Sequence, residues 1–319
     1  MLATRFTHLV GCELPIQQAG MGGVAGPDLA VAVSAAGGLG TVALHGAPPV
    51  VVAETLDAMR RRTRAPFAYN VLLPFLDRDA VAEAASRCRC IEFFYGDPDA
   101  ELVRVAHSGG ALAAWQVGSR AEAEAARDAG CDIVVVQGVE AGGHVRGRVG
   151  LHALLAEVVD AIDVAVVAAG GIGSARSAAA ALAAGADAVR LGTRFVATRE
   201  ADTHPVYAAA LARARAEDTT VTETFSALWS HAPHRVLQSS IDAVNALDDD
   251  IVGELQMGGS PVPIPRFSPS PPTRTTTGTV EAMALYAGES VTDVTAVVPA
   301  AEIVREIATG AEELLRRWS

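Results

Sequence analysis

Apolar residues come in short unbroken runs along this chain, and alanine-rich segments with one polar face lie between them. The runs at 15–19, 39–43, 66–71, 90–94, 111–117, 133–137, 164–168 and 187–191 predict strands. The segments at 28–36, 49–62, 77–86, 99–108, 119–129, 151–161 and 174–184 predict helices. Because the strand runs are continuous and not alternating, both faces of the sheet need cover, as in a parallel sheet flanked by helices. Eight strand–helix units fit an α/β fold of the (β/α)8, or TIM, barrel type. A doubly wound open sheet shares this local pattern, since periodicity alone does not reveal closure. The least regular unit is 90–94, a short run that carries Glu92.

Beyond His204-Pro205 the alternation fails. Residues 206–217 predict an alanine-rich helix, and 218–260 a mixture of helix and loop. Six of the sixteen prolines then fall between Pro261 and Pro272, which imposes an extended, non-helical crossover. Helix is expected again at 280–287 and at 300–318, with Pro299 suited to the start of the latter. The organisation expected is a barrel of residues 1–204 and 281–319, interrupted by a smaller, mostly helical lid or substrate domain, 205–280.

With 50% hydrophobic and 19% charged residues, 319 residues can bury a large core. A net charge of −12 argues against nucleic acid and anionic membrane surfaces as partners. No apolar run reaches the length of a membrane span. The first fifteen residues lack the basic-then-apolar plan of a secretory signal. Cys12, Cys88, Cys90 and Cys131 are too few and scattered for a disulfide framework, and the Cys88-x-Cys90 pair has no second pair to complete a metal site. A cytoplasmic protein without metal is expected.

The chemistry concentrates at strand ends. The run 133–137 opens into Gln137-Gly138-Val139-Glu140-Ala141-Gly142-Gly143-His144. Glycines admit positive φ and close ligand approach, and histidine titrates nearest neutral pH. A cradle with a proton acceptor beside it points to an enzyme. Gly20-Met21-Gly22-Gly23, Gly170-Gly171-Ile172-Gly173 and Gly192-Thr193 end three further strands. In a barrel all four clusters share the C-terminal face, and the loops after strands 7 and 8 form the usual phosphate site. Tight turns would account for one such cluster, less readily for the pair. Asn70 is either a turn residue or an amide facing a ring ligand. Gln137, at a buried strand terminus, needs a hydrogen-bond partner.

Taken with Pro15–Gly23, Gly37-Gly38-Leu39-Gly40, Gln116-Val117-Gly118-Ser119, Gly192-Thr193-Arg194-Phe195 and Ala287-Gly288-Glu289-Ser290, these residues resemble the nitronate monooxygenase family along nearly the whole chain. That family comprises FMN-dependent TIM barrels related to the flavin-dependent enoyl-acyl-carrier-protein reductases. The resemblance implies that Gly20, Met21 and Gly22 approach the flavin, and that Asn70, Gln137 and Gly142 contact its ring and ribityl chain. Gly171, Gly192 and Thr193 would hold the phosphate, while Gln116, Gly143, Gly173, Leu191 and Ser290 complete the cofactor site. His144 falls on the active-site histidine. Two residues depart from the family's usual glutamines: Arg190, expected to pair with the phosphate, and Glu289, an added acid near the site. His231 and His234 read as a solvated loop.

The implied activity is oxidation of an alkyl nitronate by FMN and O2 to a carbonyl compound and nitrite. An NAD(P)H-dependent FMN reductase of an enoyl thioester or quinone is the alternative, since the same glycine–histidine loop serves both. A flavin-binding protein without catalysis is a third reading. The partners expected are a small-molecule substrate and O2, with a homodimer as one assembly open to the chain.

Overall fold

The computed structural model describes residues 2–317 apart from 228, 258 and 259. Strands β1 (Ile16–Gln18), β2 (Gly40–Ala43), β3 (Phe67–Leu72), β4 (Cys90–Phe94), β5 (Leu112–Val117) and β6 (Ile133–Gln137) come first. A two-residue β7 (Gly143–His144), β8 (Ala165–Ala169) and β9 (Ala188–Leu191) follow. All but β7 form one parallel sheet in the order β1-β9-β8-β6-β5-β4-β3-β2. Its two edges meet: the Leu39 amide donates to the Ile16 carbonyl at 2.8 Å, and the Gln18 amide to the Leu39 carbonyl at 3.0 Å. That contact makes a barrel of the sheet and sets aside the open-sheet alternative.

The helices between the strands start where a side chain can cap them. Asp77, Asp99, Ser119 and Ser174 each accept from a first-turn amide, satisfying donors that have no partner inside the helix. Inside the barrel, alternate strand residues face inward. The lower layers are small and apolar (Ala68, Cys90, Ala114, Val135, Ala188), and Phe6 and Val10 of the helix Arg5–Val10 pack against them. Two residues further along the same strands the interior turns polar, with Asn70, Glu92, Gln116, Gln137 and Arg190 all buried. A barrel filled with alanine below and amides above is shaped to carry something across its upper mouth.

The chain after residue 204 differs from the expectation. Where the pattern predicted mostly helix, five short strands stand beside the helices Pro205–Arg213 and Gln238–Asn245. These are β10 (Thr219–Thr222), β11 (His234–Leu237), β12 (Ile251–Met257), β13 (Ser260–Pro265) and β14 (Thr277–Gly278). They pair as β10-β11-β7 and β13-β12-β14. β13 is an edge strand exposed at all positions but Ile264, so it shows no apolar run. Its prolines are tolerated because an edge strand can do without outward donors; the extended reading of this stretch holds. The helix expected at 280–287 is only a turn of 3-10 helix, Val280–Ala282. The last helix, Ala300–Leu315, packs on the helix Ala175–Ala183, and Gly310 permits the approach: a Cβ there would lie 2.6 Å from Ala175 Cβ. Trp318, the end of the expected helix, lies outside the described residues. Among the described residues no helix is long and apolar enough to cross a membrane.

Candidate active site

The polar upper layer of the barrel is one hydrogen-bonded network. The fully buried Glu92 carboxylate accepts from Gln17 Nε2 at 2.9 Å and Asn70 Nδ2 at 2.7 Å, and it pairs with the Arg190 guanidinium. Arg190 also donates to Gln116 Oε1. Asn70 Oδ1 meets the His45 ring nitrogen at 2.9 Å. Gly20 lies against this network, where a Cβ would come within 2.5 Å of Asn70 Cβ.

The sequence reading placed Arg190 at a phosphate; the structure turns it into the barrel. Alternation along β9 directs residue 190 inward and Leu191 outward into the helix layer, and a cation so buried requires an anion, which Glu92 supplies. Burial pulls the guanidinium pKa down to about 9, which leaves it charged at neutral pH. Leu191 presents only backbone to the mouth, its carbonyl accepting from the Ala19 amide at 2.9 Å. Gln116 is engaged by Arg190.

The glycine clusters converge on the rim above this layer. A Cβ on Gly173 would lie 2.8 Å from Ser290 Cβ, one on Gly142 2.4 Å from the Gly288 nitrogen, and one on Gly22 2.8 Å from a His45 ring nitrogen. Thr193 Oγ1 accepts from the Gly288 amide at 2.9 Å. Met21 reaches toward Gly192, with its sulfur 3.9 Å from where a Cβ there would sit. Gly143, Gly170 and Gly171 have φ of +74°, +109° and +65°, which side chains avoid. Arg194 braces the rim from its side, donating to the Gly173 and Asp293 carbonyls and pairing with Glu306.

His144 is fixed from two sides. Its strand β7 pairs with β11 of the insertion, His144 opposite His234. From below, Gln137 Nε2 donates to the His144 carbonyl at 2.9 Å and Gln137 Oε1 accepts from the Arg146 amide at 3.3 Å. The partner that a buried strand-end amide needs is thus the loop itself, and Gln137 acts by positioning His144. Arg235 donates to the Val139 carbonyl at 2.9 Å and pairs with Glu289 at 3.2 Å, so the added acid carries its own counter-charge. The His144 ring stacks on Trp229 with centroids 4.0 Å apart, and His234, Tyr95 and Tyr286 surround it at 5.4–5.7 Å. Burial, with His234 and His45 adding to it, holds the imidazole pKa down to about 3, and Nε2 is buried without a partner. His231 is solvent-exposed as expected, but His234 is not: it is fully buried, facing the Ala232 carbonyl at 2.8 Å and accepting from the Phe225 amide at 3.2 Å.

Three buried atoms of the barrel's upper interior likewise lack partners, namely Gln17 Oε1, Thr41 Oγ1 and Arg190 Nε. A planar polar ring lying across the mouth fits that donor and acceptor set, and the glycine rim fits a phosphate tail beside it. A flavin mononucleotide has both parts. Sequence reasoning missed His45, Tyr95, Trp229 and Tyr286. Tyr95 directly follows β4 and His45 lies two residues past the end of β2, a signal that was available; Trp229 and Tyr286 reach the site only through long-range packing.

The family model for nitronate monooxygenase matches residues 3–89 and 77–310. The chain belongs to the nitronate monooxygenase family. It is a flavin-dependent oxidoreductase. A (3aS,4S,5R,7aS)-5-hydroxy-7a-methyl-1-oxo-octahydro-1H-indene-4-carboxyl-CoA dehydrogenase from Rhodococcus jostii is 36% identical over 252 residues, covering 77% of this chain and 68% of that one. Among solved structures, FabK from Thermotoga maritima superposes with a TM-score of 0.84 at 30% identity, over 100% of this chain and 99% of that one. A nitroalkane oxidase from Streptomyces ansochromogenes has a TM-score of 0.79 at 28% identity, covering 99% of this chain and 100% of the other.

Proposed function

We propose that this protein is an FMN-dependent oxidase of nitroalkanes and their nitronates, releasing a carbonyl compound and nitrite. The observation that carries the reading is His144: a neutral imidazole, its Nε2 unpartnered, in an aromatic-walled site beside a flavin-shaped cradle. Such a nitrogen is placed to accept the α-proton of a nitroalkane or, once protonated, to donate to a nitro oxygen; because burial weakens it as a base, its contribution belongs at the low end of the roughly 10²–10⁴ that general-base catalysis supplies. Bound FMN supplies the electron acceptor that O2 regenerates. Gly171, Gly173, Gly192, Thr193 and Ser290 would hold its phosphate, and Gly20, Met21, Gly22, Asn70, Gly142 and Gly143 its ring and ribityl side. The Arg190–Glu92 pair supports the ring from below, and Gln137 and β11 aim His144. The 36%-identical relative favours a second reading, oxidation or reduction of an acyl thioester.

Stopped-flow reduction of the purified yellow protein separates the two. Flavin bleaching by a nitronate panel, with nitrite released in air and FMN recovered after denaturation, is expected. Rapid anaerobic bleaching by NAD(P)H with no nitrite from any nitronate would overturn the first reading in favour of the second.

A further inference from the structure

The face of the catalytic imidazole is covered by a residue of the insertion. Trp229, in the segment between β10 and β11, stacks on His144 at 4.0 Å with the rings 26° apart, which leaves no room for a substrate between them. Tyr95 abuts the same indole at 4.6 Å and Phe75 at 5.3 Å, both edge-on. Tyr95 is held there at φ +66°, a conformation that a non-glycine residue adopts only under constraint. Phe75 is 44% exposed, so this aromatic wall runs from His144 out to solvent. A substrate approaching the imidazole from this side meets the Trp229 indole first.

We infer that Trp229, backed by Tyr95 and Phe75, is the residue that sets substrate size, admitting short, flat carbon acids to His144 and excluding bulky ones. The substrate class rests on the nitronate reading; the steric role does not. Shortening the indole opens space beside the imidazole, and a pocket's discrimination over one or a few methylenes is worth roughly 10–200-fold.

The test compares wild type with Trp229→Ala and the conservative Trp229→Phe on nitronates of increasing chain length. The long-to-short ratio of kcat/KM is expected to rise at least ~10-fold in Trp229→Ala and less in Trp229→Phe. A readout independent of turnover is carbethoxylation of His144 by diethyl pyrocarbonate, followed on its peptide by mass spectrometry. That reaction should be slow in wild type and faster in both variants. An unchanged size profile together with unchanged His144 reactivity would overturn the inference. If wild type consumes no nitronate, the functional reading fails by itself, and the reactivity comparison still decides whether Trp229 covers His144.

Discussion

Two side chains concentrate the consequences at the scale of single residues. His144→Ala should leave FMN bound, because Gln137 and β11 hold the loop by its backbone. A neutral nitroalkane, which must lose a proton, should then lose kcat/KM by a factor at the low end of roughly 10²–10⁴, and its pre-formed nitronate far less. Steady-state kinetics on both forms measures the difference, and equal losses would remove the base role. Glu92 is the opposite kind of residue, since it reaches no substrate and matters through Arg190. In Glu92→Gln the guanidinium stays buried with its anion gone, and breaking such a pair typically costs about 3–5 kcal/mol. Urea unfolding should show that loss, and Glu92→Gln/Arg190→Gln together should recover part of it. A single variant as stable as wild type would mean that Arg190 finds another anion.

At the scale of elements, the loop that carries His144 is clamped between a barrel strand and the chain's return from the insertion. The Glu289 amide donates to the Glu140 carbonyl at 3.0 Å, and Gly142 and Gly288 touch backbone to backbone. Gly142→Ala would push a Cβ to within 2.4 Å of the Gly288 nitrogen. Backbone cannot swing aside as a side chain can, so the two segments must separate, at a cost typical of overpacking, roughly 1–3 kcal/mol. Because Thr193 also bonds Gly288, the variant should weaken FMN retention and activity together while the far-ultraviolet spectrum stays that of a barrel. Fluorescence titration of the apoprotein with FMN tests this. Tight binding with normal turnover would show the clamp to be slack.

For the molecule as a whole, the same three histidines set a pH dependence. Burial lowers the pKa of His45, His144 and His234 below the ordinary 6.5. Below 6.5 the unfolded chain therefore binds protons that the folded chain refuses, and stability falls as pH drops. The contribution is complete above pH 6.5 and declines through the window down to about 3, where the folded His144 itself titrates. Melting temperatures should be level from pH 7 to 8 and drop steadily below 6.5. Replacing His144 by Gln should make that acid limb shallower. A limb of unchanged slope would place the coupling in other groups.

The strand and helix pattern was legible in the sequence because burial on both faces and capping side chains are local facts, written into spacing and composition. So were the glycine-rich strand ends and His144, since a strand that stops at glycine on a barrel stops at the same rim as its neighbours. Other features needed the folded chain. Arg190 meets Glu92 across 98 residues of sequence, and only the inward turn of β9 decides that it faces a carboxylate and not a phosphate. The edge strands of the insertion escaped notice because an exposed strand leaves no apolar run. His234, which reads as a residue of a solvated loop, flanks His144 because β11 pairs with β7, and Trp229 from the segment before β11 stacks on the same ring. Local periodicity marks which residues form the barrel's strands and helices. Which side chains meet at the barrel mouth is fixed by closure and long-range pairing, whose energies lie in contacts that no sequence spacing records.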